Sequence, residues 1–352
     1  MTTMTYPPAG VVGGIDTHGD VHVAAALDST GRLLGTASFA TTATGNRQLL
    51  AWLSTHGELS RVGVEGTGSW GAGLTRYLLE RGVSVVEVDR PNRQDRRRRG
   101  KSDPLDAEAA ARAAFNGAAS GAPKSRDGDV EAIRALRVVR RSAMRNRVQA
   151  IHQLRALTST APQELRDQLR GLNRADLIET CARFRVAEAQ DPVAATRFAL
   201  RELARRIAHL DDELARLDTQ IVPLVSRACP ELLELRGVGV DTAAILLVTA
   251  GDNPDRLRTE ASFAKLCGVA PLEASSGRVR RHRLNRGGDR QANHALWRIA
   301  LVRMGCDERT RVYVARRRAE GLNTQEIMRC LKRYIAREVF RILTERVHDT
   351  RP

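Results

Sequence analysis

Aromatic side chains are scarce in this sequence. Phenylalanine, tryptophan and tyrosine make up 4% of its 352 residues, which argues against a surface of the RRM or OB type that stacks successive bases on rings. A nucleic acid partner would be held chiefly through its backbone phosphates. Cysteine is also sparse: the five residues, at 181, 229, 267, 306 and 330, lie far apart, with neither zinc-finger spacing nor an even disulfide count. They read as buried, reduced thiols. The longest strongly apolar run near the middle of the chain, AAILLVTA at 243–250, is far shorter than the ~20 residues a membrane-spanning helix needs. The opening MTTMTYPPAG has no basic n-region and no apolar h-region, so a cytoplasmic protein without a secretion signal or membrane association is expected.

What the chain does have is positive charge. Lys and Arg number 57 against 41 Asp and Glu, a formal net charge of +16, and such an excess implies a polyanionic partner such as nucleic acid. The length suffices for more than one buried core.

The first 120 residues alternate strand and helix signals. GVVGGID (10–16), VHVAAALD (21–28) and RLLGTASFAT (32–41) read as three meandering strands. A helix follows over TGNRQLLAWLSTHG, with Thr44 as its candidate N-cap, then strand RVGVEG, helix SWGAGLTRYLLERG and strand VSVVEVD. The order βββαβαβα is the sequence-level shape of an RNase H-like (RuvC-like) α/β domain.

From about 129 the pattern is helical. Leu200, Leu203, Ile207, Leu210, Leu214, Leu217, Ile221 and Leu224 alternate spacings of three and four, an a/d seam that predicts a coiled coil. The looser pattern over 130–157 can pair with it as an antiparallel hairpin. Alternatively both zip onto another subunit, the dimerising arm favoured here, giving a homo-oligomer (dimer or tetramer). Further on, ELRGVGVDTAAILLVTAG has the helix, Gly-x-Gly turn, helix form of a helix-hairpin-helix. That turn can bind a phosphate or simply join two helices. The expected division is an α/β domain over 1–125, a helical arm over 126–228 and a mainly helical domain over 229–352.

In a meander-first α/β domain the first strand, the fourth strand and a following helix converge on one sheet edge. Those places hold Asp16, Glu65, and Asp103 with Asp106. Four carboxylates in one pocket repel one another unless divalent cations lie between them, and hard cations such as Mg2+ (or Mn2+) take oxygen ligands of this kind. Two such ions ~3.5–4 Å apart can clamp a phosphodiester. Each acid also has an ordinary reading: Asp16 and Glu65 as strand-terminal residues, Asp103 as a helix N-cap before Pro104, Asp106 as a first-turn acid suited to the macrodipole. Glu108 is expected to point away into solvent. Just before the acids, Arg96, Arg97, Arg98, Arg99 and Lys101 form a basic run suited to a polyanion.

The blocks GIDTHGDVHVAAALD, GVEGTGSWGAGLTRYLLERGVSVVEVDRPN, KSDPLDAEAAARA, LRGVGVDTAAILLVTAGD and FAKLCGVAPLEASSGRVRRHRLNRGGDRQANHALW resemble, in order, the signatures of the DEDD transposases of the insertion sequence 110 family. The resemblance runs from about 11 to 345. It implies a RuvC-like domain whose Asp-Glu-Asp-Asp site falls on Asp16, Glu65, Asp103 and Asp106, a coiled-coil arm, and a C-terminal transposase domain. That domain carries a nucleophilic serine before a glycine, which falls on Ser276, with Ser275 as the adjacent alternative.

Arg278, Arg280, Arg281, Arg283, Arg286 and Arg290 surround this serine with charge able to stabilise a pentacoordinate phosphorus. The resemblance further implies a covalent phosphoserine link to DNA, strand exchange between donor and target DNA, association with the bacterial nucleoid when bound, and guidance by a structured noncoding RNA. Two other readings are a RuvC-like metal nuclease or junction resolvase without a covalent serine, and a non-catalytic nucleic-acid-binding protein.

Overall fold

The computed structural model describes residues 10–88, 102–185, 188, 190–274, 282, 283, 285 and 287–349. The chain forms two compact units: 1–128 with 249–289 and 336–352, and 129–248 with 290–335.

The first unit is built on a five-stranded mixed sheet. Strands β1 (Val11–Thr17), β2 (Val21–Leu27) and β3 (Leu33–Ala40) form an antiparallel meander, followed by α1 (Ala43–Thr55), β4 (Leu59–Glu65), α2 (Ala72–Leu79), β5 (Val85–Val88) and α3 (Asp103–Phe115). The strand order is β3-β2-β1-β4-β5, with β4 parallel to both β1 and β5. This is the α/β order read from the sequence. Helix α1 begins two residues earlier than expected, because Thr42, not Thr44, accepts the capping hydrogen bond from the Gly45 amide.

One sheet face carries Val11, Ile15, Ala24, Ala26, Val62 and Val64 against Leu49, Leu53, Leu74 and Leu78 of α1 and α2. The other receives α3 through alanines: Ala107 and Ala111 meet Val23, Ala25 and Leu27, and Ala110 lies beside Val88. Gly14 and Gly63 permit this approach. A β-carbon on Gly14 would fall 2.0 Å from the Ala111 nitrogen, and one on Gly63 would fall 2.6 Å from the Ala110 carbonyl oxygen.

Residues 249–289 join the same unit through hydrogen bonds. The Asn253 side chain accepts from the Ser125 amide and donates to the Pro123 carbonyl, both at 3.0 Å, and Arg256 donates to Ala122. A two-stranded ladder, β6 (Leu272–Glu273) with β7 (His282–Arg283), belongs to this segment.

The second unit centres on two long helices, α4 (Asp129–Thr160) and α7 (Pro192–Ala228), with α5 (Gln163–Leu169) and α6 (Arg174–Ala182) between them in sequence. Ion pairs set their direction: Asp129 with Arg227 at 2.6 Å, Arg140 with Asp218 at 2.6 Å, and Arg147 with Asp211. As one number rises the other falls, so the helices run antiparallel. Leu200, Ile207, Leu210, Leu214 and Ile221 of the seam are buried. Within the chain, the seam is paired with α4, the hairpin arrangement that the sequence left open beside a dimerising arm.

Helix α8 (Glu231–Glu234) and helix α9 (Val240–Ala250) flank the glycine turn. Gly237 has φ of +80°, and a β-carbon there would press on the Ile299 carbonyl at 3.2 Å. Its conformation therefore answers to packing against α11 (Arg290–Cys306), while Arg303 donates to the Arg236 carbonyl at 2.7 Å. At the start of α9, Asp241 accepts from Arg137 (2.7 Å), Arg140 (3.3 Å) and Arg298 (3.0 Å).

The chain also forms α10 (Glu260–Leu266), α12 (Glu308–Ala319) and α13 (Thr324–Asp349). Cys181, Cys229 and Cys267 are buried and free, whereas Cys306 is exposed and Cys330 half-buried, which corrects the expectation that all five are buried. No helix among the described residues is long and apolar enough to cross a membrane.

Candidate active site

The site grows from the ends of two parallel strands. Ile15 pairs with Val64, so the acids that follow, Asp16 and Glu65, end adjacent strands at one level. The Thr17 hydroxyl fixes this relation by donating to the Glu65 carbonyl at 2.8 Å. Carboxyl ends of parallel strands are where open α/β sheets commonly bind ligands.

The third contribution is the N-terminus of α3. Ser102 occupies the N-cap position with extended backbone, leaving Asp103 as the first helical residue. This corrects the reading of Asp103 as the cap: it is the first residue of the helix, and its carboxylate is half exposed. Asp106, one turn on, is buried at 7% exposure. Glu108 is half-buried and paired with Arg112 at 2.6 Å rather than solvated, the ordinary outcome for residues four apart on a helix.

Between the strand and the helix stands His18, which the sequence reading passed over. Its Nε2 lies 3.0 Å from Asp16 Oδ2 and 3.4 Å from Asp103 Oδ1. One ligand atom from each of the three residues falls within 4.8 Å of the others. A signal was present: residues two apart at a strand end share a face, and His18 is two from Asp16 in GIDTHGD.

Burial pushes the Asp16 carboxyl above its ordinary range, against the charge and hydrogen bond of His18, and the charges of Asp106 and Asp103 push it further up. Burial, then the nearby His18, holds buried His22 below the usual imidazole range. A buried carboxylate facing two others is an environment that a divalent cation would relieve, and an oxygen-rich set with one imidazole suits such an ion. The residues present therefore fit a divalent metal.

Of the remaining sequence candidates, Arg283 sits in β7 and Arg290 begins α11, both exposed. Ser276, which falls in the connection between β6 and β7, lies outside the described residues, as do Arg96, Arg97, Arg98, Arg99, Lys101, Arg278, Arg280, Arg281 and Arg286.

Fold and site thus define an α/β protein with a carboxylate-rich cluster at the carboxyl end of its sheet, suited to a divalent cation. Two family models match the chain: the DEDD transposase model of insertion sequence 110 over residues 13–162, and the transposase IS116/IS110/IS902 family over residues 229–315. The chain belongs to this transposase family.

Among curated relatives, the insertion element IS110 uncharacterized 43.6 kDa protein of Streptomyces coelicolor is 36% identical over 138 residues, 38% of this chain. The insertion element IS900 uncharacterized 42 kDa protein of Mycobacterium paratuberculosis is 29% identical over 135 residues, 37% of this chain. The matched stretch spans 34% of each relative's length.

Proposed function

We propose that this protein is a DNA transposase, a recombinase that excises and inserts an insertion sequence by cleaving and rejoining donor and target DNA. The observation that carries the reading is the convergence of Asp16, His18 and Asp103 within 4.8 Å, beside buried Asp106, in a chain of a transposase family. The β3-β2-β1-β4-β5 order supports an RNase H-like (RuvC-like) assignment for the sheet. Asp16, Glu65, Asp103 and Asp106 would hold Mg2+ (or Mn2+). Such ions neutralise charge on a phosphodiester and orient the attacking oxygen.

Ser276 is the proposed nucleophile. Its oxygen forms a bond to phosphorus as the bond to the leaving sugar oxygen breaks; the serine proton passes to a neighbouring base and the leaving oxygen takes one up. Attack on the phosphoserine by a hydroxyl of the other DNA reverses the step and rejoins the strands without hydrolysis. Arg278, Arg280, Arg281, Arg283, Arg286 and Arg290 offset the charge of the pentacoordinate state. A structured noncoding RNA selects the DNA by base pairing, which matches a chain of +16 charge and few rings.

The test is Ser276→Ala. Covalent protein–DNA adducts and strand transfer are expected to vanish while cation binding persists. Adducts retained by that variant, or mapped to Ser275, would overturn the assignment.

A further inference from the structure

Trp70 is the most exposed large apolar side chain among the described residues, at 66%. An indole left in solvent forgoes burial that would stabilise the fold, and what singles this one out is the loop that holds it. The loop that presents it is closed by its own hydrogen bonds. Gly66, at φ of +73°, accepts through one carbonyl oxygen from the Ser69 amide (2.8 Å), the Ser69 hydroxyl (3.2 Å) and the Gly71 amide (3.1 Å). A β-carbon on Gly66 would lie 2.9 Å from the Thr17 hydroxyl, the group that ties β1 to Glu65. The loop is thus built directly on the strand ends that carry the acids.

The ring itself lies against the turn that follows His18. A β-carbon on Gly19 would touch three carbons of the indole at 3.6–3.8 Å, and Gly19 follows His18. A cation stands against this loop: Arg126 donates to the Gly68 carbonyl at 3.2 Å. Its backbone has φ of +57°, the left-handed region that a non-glycine residue seldom occupies. An exposed ring with a guanidinium bound to the carbonyl two residues before it, on a chain of +16 charge, matches the base and phosphate of a nucleotide.

We propose that Trp70 is a stacking platform at the rim of the acid cluster, on which an unpaired base of the DNA strand lies while Arg126 takes a flanking phosphate. The proposal rests on the reading of Asp16 and its neighbours as a DNA-cleaving site, and adds how the strand is seated there. Few rings in the whole chain is compatible with one ring at the place where a strand must leave its duplex.

The test uses the full chain with magnesium and a single-stranded deoxyoligonucleotide carrying 2-aminopurine. Trp70→Ala should weaken binding about tenfold, the low to middle range for one stacked base, and abolish quenching of the probe. Trp70→Phe should retain most of both, and Trp297→Ala, which removes another exposed indole, should change neither. Arg126→Gln should lower the salt slope of binding by about 0.7, the loss of one single-strand phosphate contact. Unchanged quenching in Trp70→Ala, or an equal loss in Trp297→Ala, would overturn the stacking role; an unchanged salt slope would overturn that of Arg126. Strand cleavage kept by Asp16→Asn would instead overturn the acid-cluster reading, and the quenching result would still stand.

Discussion

The His18 imidazole nitrogen lies 3.0 Å from the Asp16 carboxylate, yet burial still leaves that carboxyl titrating above its ordinary range. The single histidine contact does not offset burial and two neighbouring acids. Because the folded value is raised, protonation favours the folded state. The Asp16 contribution to the stability of metal-free protein should therefore rise as pH falls through that raised value, while buried His22, held below its usual range, works against it below the usual imidazole value.

Asp16→Asn should remove this cost. In the absence of divalent cations the variant is expected to melt above the parent, and added magnesium should no longer raise its melting temperature. Thermal melts with chelator and with magnesium check both parts. A variant that melts lower in chelator and still gains from magnesium would contradict the cluster's electrostatics.

His18 gives the site a nitrogen donor, which suits manganese better than magnesium. His18→Ala should lower manganese affinity by roughly tenfold while changing magnesium affinity much less. Titration calorimetry with the two ions separates the cases, and equal losses for both would make His18 a positioning residue rather than a ligand.

Gly14→Ala would drive a methyl into the backbone of α3, to 2.0 Å from the Ala111 nitrogen and 2.4 Å from the Ala107 carbonyl oxygen. The helix must move, which should cost about 3 kcal/mol or more in denaturant unfolding and displace Asp103 and Asp106. Gly73→Ala is the control. Nothing lies within 4 Å of its built β-carbon, and the helical alanine should be neutral or stabilising by about 0.5–1 kcal/mol.

Asp241 binds three arginines of the helical unit. Burial pushes its carboxyl up, but the Arg137 hydrogen bond and the charges of Arg137, Arg140 and Arg298 outweigh that and hold it below the usual range. Its contribution is therefore present above the ordinary carboxylate value and lost as pH falls through the depressed folded one. Asp241→Asn should cost on the order of 2 kcal/mol at neutral pH and flatten the acid side of the stability profile, as measured by urea unfolding from pH 2 to 7.

Much of the α/β unit was legible because strand and helix periods differ, and the turns between them are marked by glycine and polar residues. Helix starts were less so: Thr42 and Ser102 occupy the caps where Thr44 and Asp103 were expected, since several residues near a helix start can cap equally well until backbone geometry chooses one. The seam on α7 announced a partner without naming it; within the chain, the ion pairs of Asp129, Arg140 and Arg147 show that α4 lies along it. His18 was hidden in a motif that reads as a turn. The attachment of 249–289 to the first unit depends on Asn253 meeting Pro123 and Ser125, contacts more than a hundred residues apart that no local period records.

The meeting of glycines in β1 and β4 with alanines in α3 has a bearing on how this chain can vary. The gap there is closed by main chain on both sides, so no rotamer can absorb an added methyl group. Positions 14 and 63 are thus held to glycine by the seating of the helix that carries two of the acids, so a larger residue at either would disable the site from a distance with every acid still in place.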